Sequence, residues 1–220
     1  STRGRVHLGS GVSAAWGRRT LAGIIAVLAV GALCAQLPLT IDYAMGQGGT
    51  VLDGVWRYLG FFTITTNIFV ALSMSAAARG RNTGLASPSV VSAATLAILL
   101  VGLVYHFLLA RQWTDLSPFA YLVDRVLHYV VPPLMLLFWA LFTPKRGLGW
   151  GEPLKWLIYP GAYLAYAFAR GAQNGWYPYG FIDVGKLGYQ GALVNAAGFA
   201  LGLLGAGYLA LALIKALRLR

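Results

Sequence analysis

The chain alternates between long apolar runs and short polar or charged stretches, and the run lengths predict its architecture. A helix that crosses a bilayer needs about 20 mostly apolar residues. Residues 20–41, 58–78, 82–110 and 187–214 are each free of Asp, Glu, Lys and Arg. Two further runs are less clean. One, over about 117–143, carries Asp124, Arg125 and His128 in its first half. The other, over about 154–171, has 14 uncharged residues between Lys155 and Arg170, so its ends have to snorkel or lie at the interface. The pattern predicts an all-α, polytopic membrane protein. Its single domain, 1–220, is a bundle of six transmembrane helices at about 20–42, 56–78, 88–110, 117–143, 154–171 and 188–214. The run after Arg19 is too long for a signal-peptide core and reads as a retained first span.

Composition agrees. Of 220 residues 58% are hydrophobic and 10% charged, whereas soluble domains carry about a quarter charged residues. Lipid can cover that much apolar surface. The net charge of +11 changes the picture only in its distribution. The basic residues sit between apolar runs and form no face interleaved with stacking aromatics, so nucleic acid is excluded as a partner and membrane lipids are expected. With both termini inside, the inner segments hold Arg3, Arg5, Arg18, Arg19, Arg79, Arg81, Lys145, Arg146, Lys155, Lys215, Arg218 and Arg220. The outer half keeps Arg57, Arg111, Arg125, Arg170 and Lys186. This asymmetry predicts cytoplasmic N and C termini. Asp42, Asp53, Asp115, Asp124 and Asp183 fall on the outer half, and the inner loops are too short for a catalytic domain. Cys34 is the only cysteine, which excludes an intrachain disulfide and any metal site built on cysteines.

Polar side chains inside a span are expensive and mark the places where chemistry is to be sought. In Phe61-Phe62-Thr63-Ile64-Thr65-Thr66-Asn67, the residues Thr63, Thr66 and Asn67 share one helix face and Thr65 points nearly the opposite way. Two readings fit: threonines bonded back to their own helix with Asn67 tying two helices together, or a polar face that belongs to a functional site. Asp124 and His128 lie at i and i+4, with Tyr121 a turn earlier. They form a carboxylate-held imidazole able to act as a base, a polar pair bridging helices, or an Asp124–Arg125 ion pair at the interface. His128 and Thr63 lie at matching depths. His106 could join His128 and a carboxylate around a metal, but no closely spaced ligand pair such as HxxxH is present. His7 belongs to the basic tail and is expected in solvent.

Tyr159, Tyr163, Tyr166 and Arg170 follow at steps of 4, 3 and 4. This is an aromatic belt with a snorkelling arginine, or a path for an acyl chain ending at a guanidinium. The segment from Trp176 through Tyr177 and Tyr179 to Phe181 reads as an aromatic, proline-broken lid. Gly198 and Gly202 make a GxxxG pair suited to close helix packing. GxSxG, HExxH, GxxxxGK and paired CxxC motifs are absent from the sequence. No internal repeat suggests a repeat-built transporter.

In order, FFTITTN, LVDRVLHYVVPP, YPGAYLAYAFARG and WYPYGFIDVGKLG resemble the androgen-induced-gene family of six-pass membrane proteins and its bacterial relatives, over about Val55 to Tyr189. The resemblance implies an intramembrane hydrolase of lipid esters, such as fatty acid esters of hydroxy fatty acids, in a bacterial cytoplasmic membrane. It implies a threonine nucleophile at Thr63, or at Thr66 after a one-turn shift, and a histidine at His128. On that reading Asp124 orients His128, Asn67 or Thr66 donates to the oxyanion, and Arg170 holds a free carboxylate. Tyr163, Tyr166, Trp176, Tyr177, Tyr179 and His106 surround the substrate, and no cofactor or metal is needed. The alternatives are a lipid or small-molecule binding or transport protein without catalysis, and a membrane scaffold.

Overall fold

The computed structural model describes residues 6–112 and 116–217, with side chains from residue 13 onward. Arg3, Arg5, Asp115, Arg218 and Arg220 lie outside the described residues, as does the side chain of His7. The described chain is helical, without strands. In order it runs through α1 (Val6–Gly46), α2 (Val51–Gly60), α3 (Phe62–Ala78), α4 (Pro88–Val104), α5 (Pro118–Arg125), α6 (Val131–Phe142), α7 (Glu152–Trp156), α8 (Ile158–Asn174) and α9 (Val184–Ala216).

Local chemistry sets these boundaries. Thr50 and Asp53 form a reciprocal capping box that starts α2. Ser87 and Ser117 cap α4 and α5, each followed by a proline whose missing N–H costs nothing at a first turn. Gly175, at φ 72°, closes α8 in the left-handed conformation. Asp183 caps α9, and Gly188 kinks it.

Four helical stretches are long and apolar enough to cross a bilayer: Ser13–Gly46, Pro88–Gln112, Pro118–Phe142 and Val184–Ala216. Counted as one broken element, α2 and α3 together are also long and apolar enough, with a bend of 75° at Phe61, so the described residues hold four such stretches or five. The sequence predicts six spans and an unbroken second one. The 17-residue α8 is too short to stand among the long apolar helices.

Lipid gives apolar helices no hydrophobic reason to associate, so close packing of small residues has to hold them. Accordingly, α1 lies along α3 with Ala22, Ala29, Ala71 and Ala77 buried, and α4 packs on α3 and α6 with Ala94 and Ala97 buried. Ile25, Val70, Met74, Ile98 and Met135 fill the remaining core. Gly198 and Gly202 take no part: a Cβ at either would meet nothing within 4 Å, so the expected GxxxG packing is absent within the described residues. At the opposite end from the candidate site, cations cap helix C-termini. Arg18 and Arg19 donate to the carbonyls of Arg81 and Ala78, at 2.8 and 3.0 Å. Lys145 donates to those of Trp139, Ala140 and Thr143.

Candidate active site

The bend at Phe61 is the feature from which the site grows. A backbone interruption at membrane depth leaves carbonyls on one side and N–H groups on the other without helical partners. Tyrosine hydroxyls from distant parts of the chain satisfy them. Tyr163 donates to Gly60 O at 2.8 Å and Tyr166 to Leu59 O at 3.4 Å. On the other side, the N–H groups of Phe62 and Thr63 donate to the Tyr179 hydroxyl oxygen at 2.9 and 3.4 Å. The stripe on α8 is therefore, in large part, the scaffold of a broken helix.

Thr63 stands in the first turn of α3, and its Oγ1 lies 3.2 Å from His128 Nε2. The other ring nitrogen, Nδ1, faces Asp124 twice: the carboxylate Oδ1 at 3.1 Å and the backbone carbonyl at 2.9 Å. Two acceptors at Nδ1 favour the tautomer with its proton there. Nε2 is then a lone pair aimed at the threonine hydroxyl. Tyr105 completes the arrangement. Its hydroxyl donates to Asp124 Oδ2 at 2.6 Å, and its ring stacks on the imidazole with centroids 3.8 Å apart. Arg125 forms no ion pair with Asp124 among the described residues; its guanidinium lies between Tyr121 and Tyr129, at 4.3 and 4.8 Å from their centroids.

His128 owes its position to irregular helix. Residues Val126–Val130 form a π turn between α5 and α6. Pro132 and Pro133 follow, and neither can donate to the carbonyl four residues back. Tyr105 opens a second π turn, Tyr105–Leu109, directly across. The two segments approach closely because Gly102 has no side chain: a Cβ there would stand 3.1 Å from His128 O.

Two cavities meet at Thr63. The first, about 310 Å³, is lined by Phe62, Val101, Val104, Tyr163, Leu164 and Leu203 among others. No charged residue reaches its wall. The second, about 290 Å³, holds His128, Asp124 and Tyr105 together with Gln36, Tyr43 and Arg57. Thr63, Leu109 and Tyr179 border both.

The remaining expected site residues divide. Tyr163 lines the apolar cavity and Tyr179 lines both. Thr66 is wholly buried, shares a hydrogen bond with Tyr159 at 2.9 Å, and lies on neither wall. Asn67 donates to Thr63 O at 2.9 Å, while its buried Oδ1 has no partner among the described residues. Neither residue is aimed at a carbonyl beside Thr63. The hydroxyl that stands beside Thr63 is Tyr179's, whose oxygen accepts the N–H groups of Phe62 and Thr63.

Arg170, Tyr166, Trp176 and Tyr177 line neither cavity. Arg170 is 3% exposed, donates to Tyr166, and lies over the rings of Trp56 and Trp176 at 4.3 and 4.8 Å. Gly60 makes room for that cluster, since a Cβ would come within 2.5 Å of both Arg170 and Trp176. Tyr177 packs on Gly171. The guanidinium on a cavity wall belongs to Arg57, bracketed by Tyr43, Trp176 and Phe61 at 4.9, 5.0 and 5.8 Å. His106 is exposed, pairs with the Tyr129 hydroxyl at 3.0 Å, and points away from both cavities. Among the described residues no group of three or more His, Cys, Asp and Glu could hold a metal.

Tyr105 and Arg57 are the site members missing from the sequence-based set. A tyrosine inside the apolar run 82–110 was a signal of the same kind as His106, one residue on. No protein-family model, no curated protein and no solved structure matches the chain, so the chemistry of the site rests on its geometry.

Proposed function

We propose that the protein is an intramembrane hydrolase of lipid esters, with Thr63 as nucleophile and His128 as general base and acid. The observation that carries this is the continuous relay Thr63 Oγ1–His128 Nε2, His128 Nδ1–Asp124 and Asp124–Tyr105, at 3.2, 3.1 and 2.6 Å, opening on both cavities. A threonine hydroxyl is a weak nucleophile at neutral pH and needs a base within hydrogen-bond reach. His128 supplies it, and Asp124 holds the ring and stabilises its cationic form. Thr63 attacks the ester carbonyl and its proton passes to Nε2. Collapse of the tetrahedral intermediate breaks the alkoxy C–O bond, and Nε2 returns the proton to the leaving oxygen. Water then repeats the sequence on the acyl-threonine, releasing the acid. Tyr179 donates to the oxyanion in both halves, in surroundings where low dielectric strengthens such a bond.

The resemblance to the androgen-induced-gene family favours fatty acid esters of hydroxy fatty acids as substrates, with Arg57 in the role first given to Arg170 for the free carboxylate. Six membrane passes, with α8 as a short span and both termini cytoplasmic, fit this reading. The cations that cap helix C-termini gather at one end of the bundle, and the site lies toward the other.

The test is hydrolysis of a long-chain ester by purified protein. Thr63→Ala and His128→Ala each abolish it without unfolding the protein. The double variant is scarcely slower than either single one, because residues that act as a unit are non-additive. Full activity in Thr63→Ala would eliminate the threonine mechanism. A binding protein without catalysis would retain intact ester in both variants and in the wild type.

A further inference from the structure

We infer that the site sorts its substrate by halves: the acyl chain lies in the apolar cavity, and the alcohol leaves into the polar one. The inference rests on the hydrolase reading, and it follows from where the proton donor stands. His128 and Asp124 border only the second cavity, whereas Thr63 and Tyr179 border both. In ester cleavage the group that protonates the leaving oxygen has to be beside it. That oxygen, and the alcohol behind it, therefore lies on the His128 side. The carbonyl carbon bonded to Thr63 Oγ1 has one other substituent, the acyl chain, and the space left for it is the first cavity.

The walls agree with this division. The first cavity is bounded by aliphatic and aromatic side chains of α3, α4, α8 and α9, including Val104, Leu164, Phe199 and Leu203. The few hydroxyls there are engaged by protein groups: Tyr163 donates to Gly60 O, Thr63 meets His128, and Tyr179 accepts from the N–H groups of Phe62 and Thr63. A hydrocarbon chain leaves none of them unsatisfied. The second cavity carries Gln36, Thr40, Gln112 and Arg57. Among the described residues no carboxylate pairs with Arg57; the ion pairs there are His128–Asp124, Lys155–Glu152 and Lys186–Asp183. Polar atoms of an alcohol half find partners on that wall. The same cavity is the route for water, which needs His128 as its base and meets Gln36, Gln112 and Arg57 on that wall. The wall of the apolar cavity, which includes Ala200 and Leu203, then limits acyl length.

The experiment uses the ester of lauric acid with ω-hydroxylauric acid, carrying a diazirine at the far end of either the acyl or the alcohol chain. Each is photolysed with full-length Thr63→Ala protein in detergent, and the labelled peptides are mapped by mass spectrometry. The acyl-end probe should label Leu164, Phe199 and Leu203, and the alcohol-end probe Leu39, Leu116 and Ala120. The reverse pattern, or the same residues labelled by both, overturns the assignment. In turnover, Ala200→Phe should slow lauroyl esters at least tenfold relative to acetyl esters of the same alcohol. Ala120→Phe should spare that ratio and discriminate by alcohol length instead. A ratio moved by Ala120→Phe and not by Ala200→Phe likewise overturns it. Correctly sorted labels with no turnover of any ester by wild-type protein would keep the sorting and remove the hydrolase reading.

Discussion

Replacing Tyr105 with phenylalanine removes one oxygen and keeps the ring. The lost contact is a 2.6 Å hydrogen bond to Asp124 Oδ2, and the retained one is the stack on His128, with rings 19° from parallel. Hydrogen bonds to charged groups are worth about 1.5–3 kcal/mol. On the proposed mechanism the bond positions Asp124, which in turn stabilises the imidazolium formed as Thr63 attacks. Its loss is therefore felt more in the transition state than in the bound substrate. If the whole amount is expressed there, kcat falls about 10- to 150-fold, since each 1.4 kcal/mol is a factor of ten. KM changes little, because the phenol oxygen is committed to Asp124 and not to the substrate. Tyr105→Leu also removes the stacked ring and should be worse than Tyr105→Phe. The assay is steady-state hydrolysis of a long-chain ester in mixed micelles, with thermal unfolding followed in parallel. A Tyr105→Phe enzyme within twofold of wild type in kcat would show that Asp124 needs no second anchor. Equal losses in kcat and 1/KM would assign Tyr105 to binding.

Three further outcomes follow from the geometry. Tyr179→Phe strips the acceptor from two helix N–H groups; each buried group left unpaired costs about 1–3 kcal/mol. Thermal unfolding in detergent should show a clear loss of stability, accompanied by loss of kcat. For Glu152, burial alone would raise the carboxyl's pKa, but hydrogen bonds from Lys155, Ser89 and Trp156 outweigh it and hold the group below its ordinary value of 4.5. Its ionised form therefore stabilises the fold fully above about pH 4.5, and that contribution is lost as pH falls through the lower, folded value. Glu152→Gln should be less stable than wild type at neutral pH, with the gap closing in acid. For topology, single cysteines at Thr83 and Asn174, in a Cys34→Ser background because Cys34 is exposed, should react oppositely with an impermeant maleimide. Labelling at Asn174 from outside is expected, and labelling at Thr83 alone would invert the orientation.

Much of this was legible in the residues because lipid makes the rules strict. Uncharged runs announce helices, and a polar group within a run announces a site. The i, i+4 spacing of Asp124 and His128 showed that the carboxylate could hold the ring. Matched depth alone allowed Thr63 to meet His128. What failed to show was backbone geometry. Nothing in the composition around Phe61 marks a 75° bend, so α2 and α3 read as one span, and the tyrosines that serve the bend read as a substrate path. Arg170 and Arg57 illustrate the same limit. Both are arginines near aromatic rings at the same end of the bundle, and only the packing around Gly60 decides which of them is sealed in and which reaches a cavity.

The bend at Phe61 also sets an order of construction. The groups that satisfy it arrive late: Tyr163 is 103 residues beyond Gly60, and Tyr179 is 117 residues beyond Phe62. A nascent chain that ends before α8 has four backbone groups at this point with no tyrosine to meet them, each costing several kcal/mol in hydrocarbon. Such a chain is better off with α2 and the start of α3 held at the wet interface. Seating them awaits residues from the last third of the chain, so closure of these long-range contacts comes at the end of assembly. The hydroxyl proposed as nucleophile thus meets its proposed base only in a nearly finished molecule, and on the hydrolase reading a half-made chain in the same bilayer would be inactive.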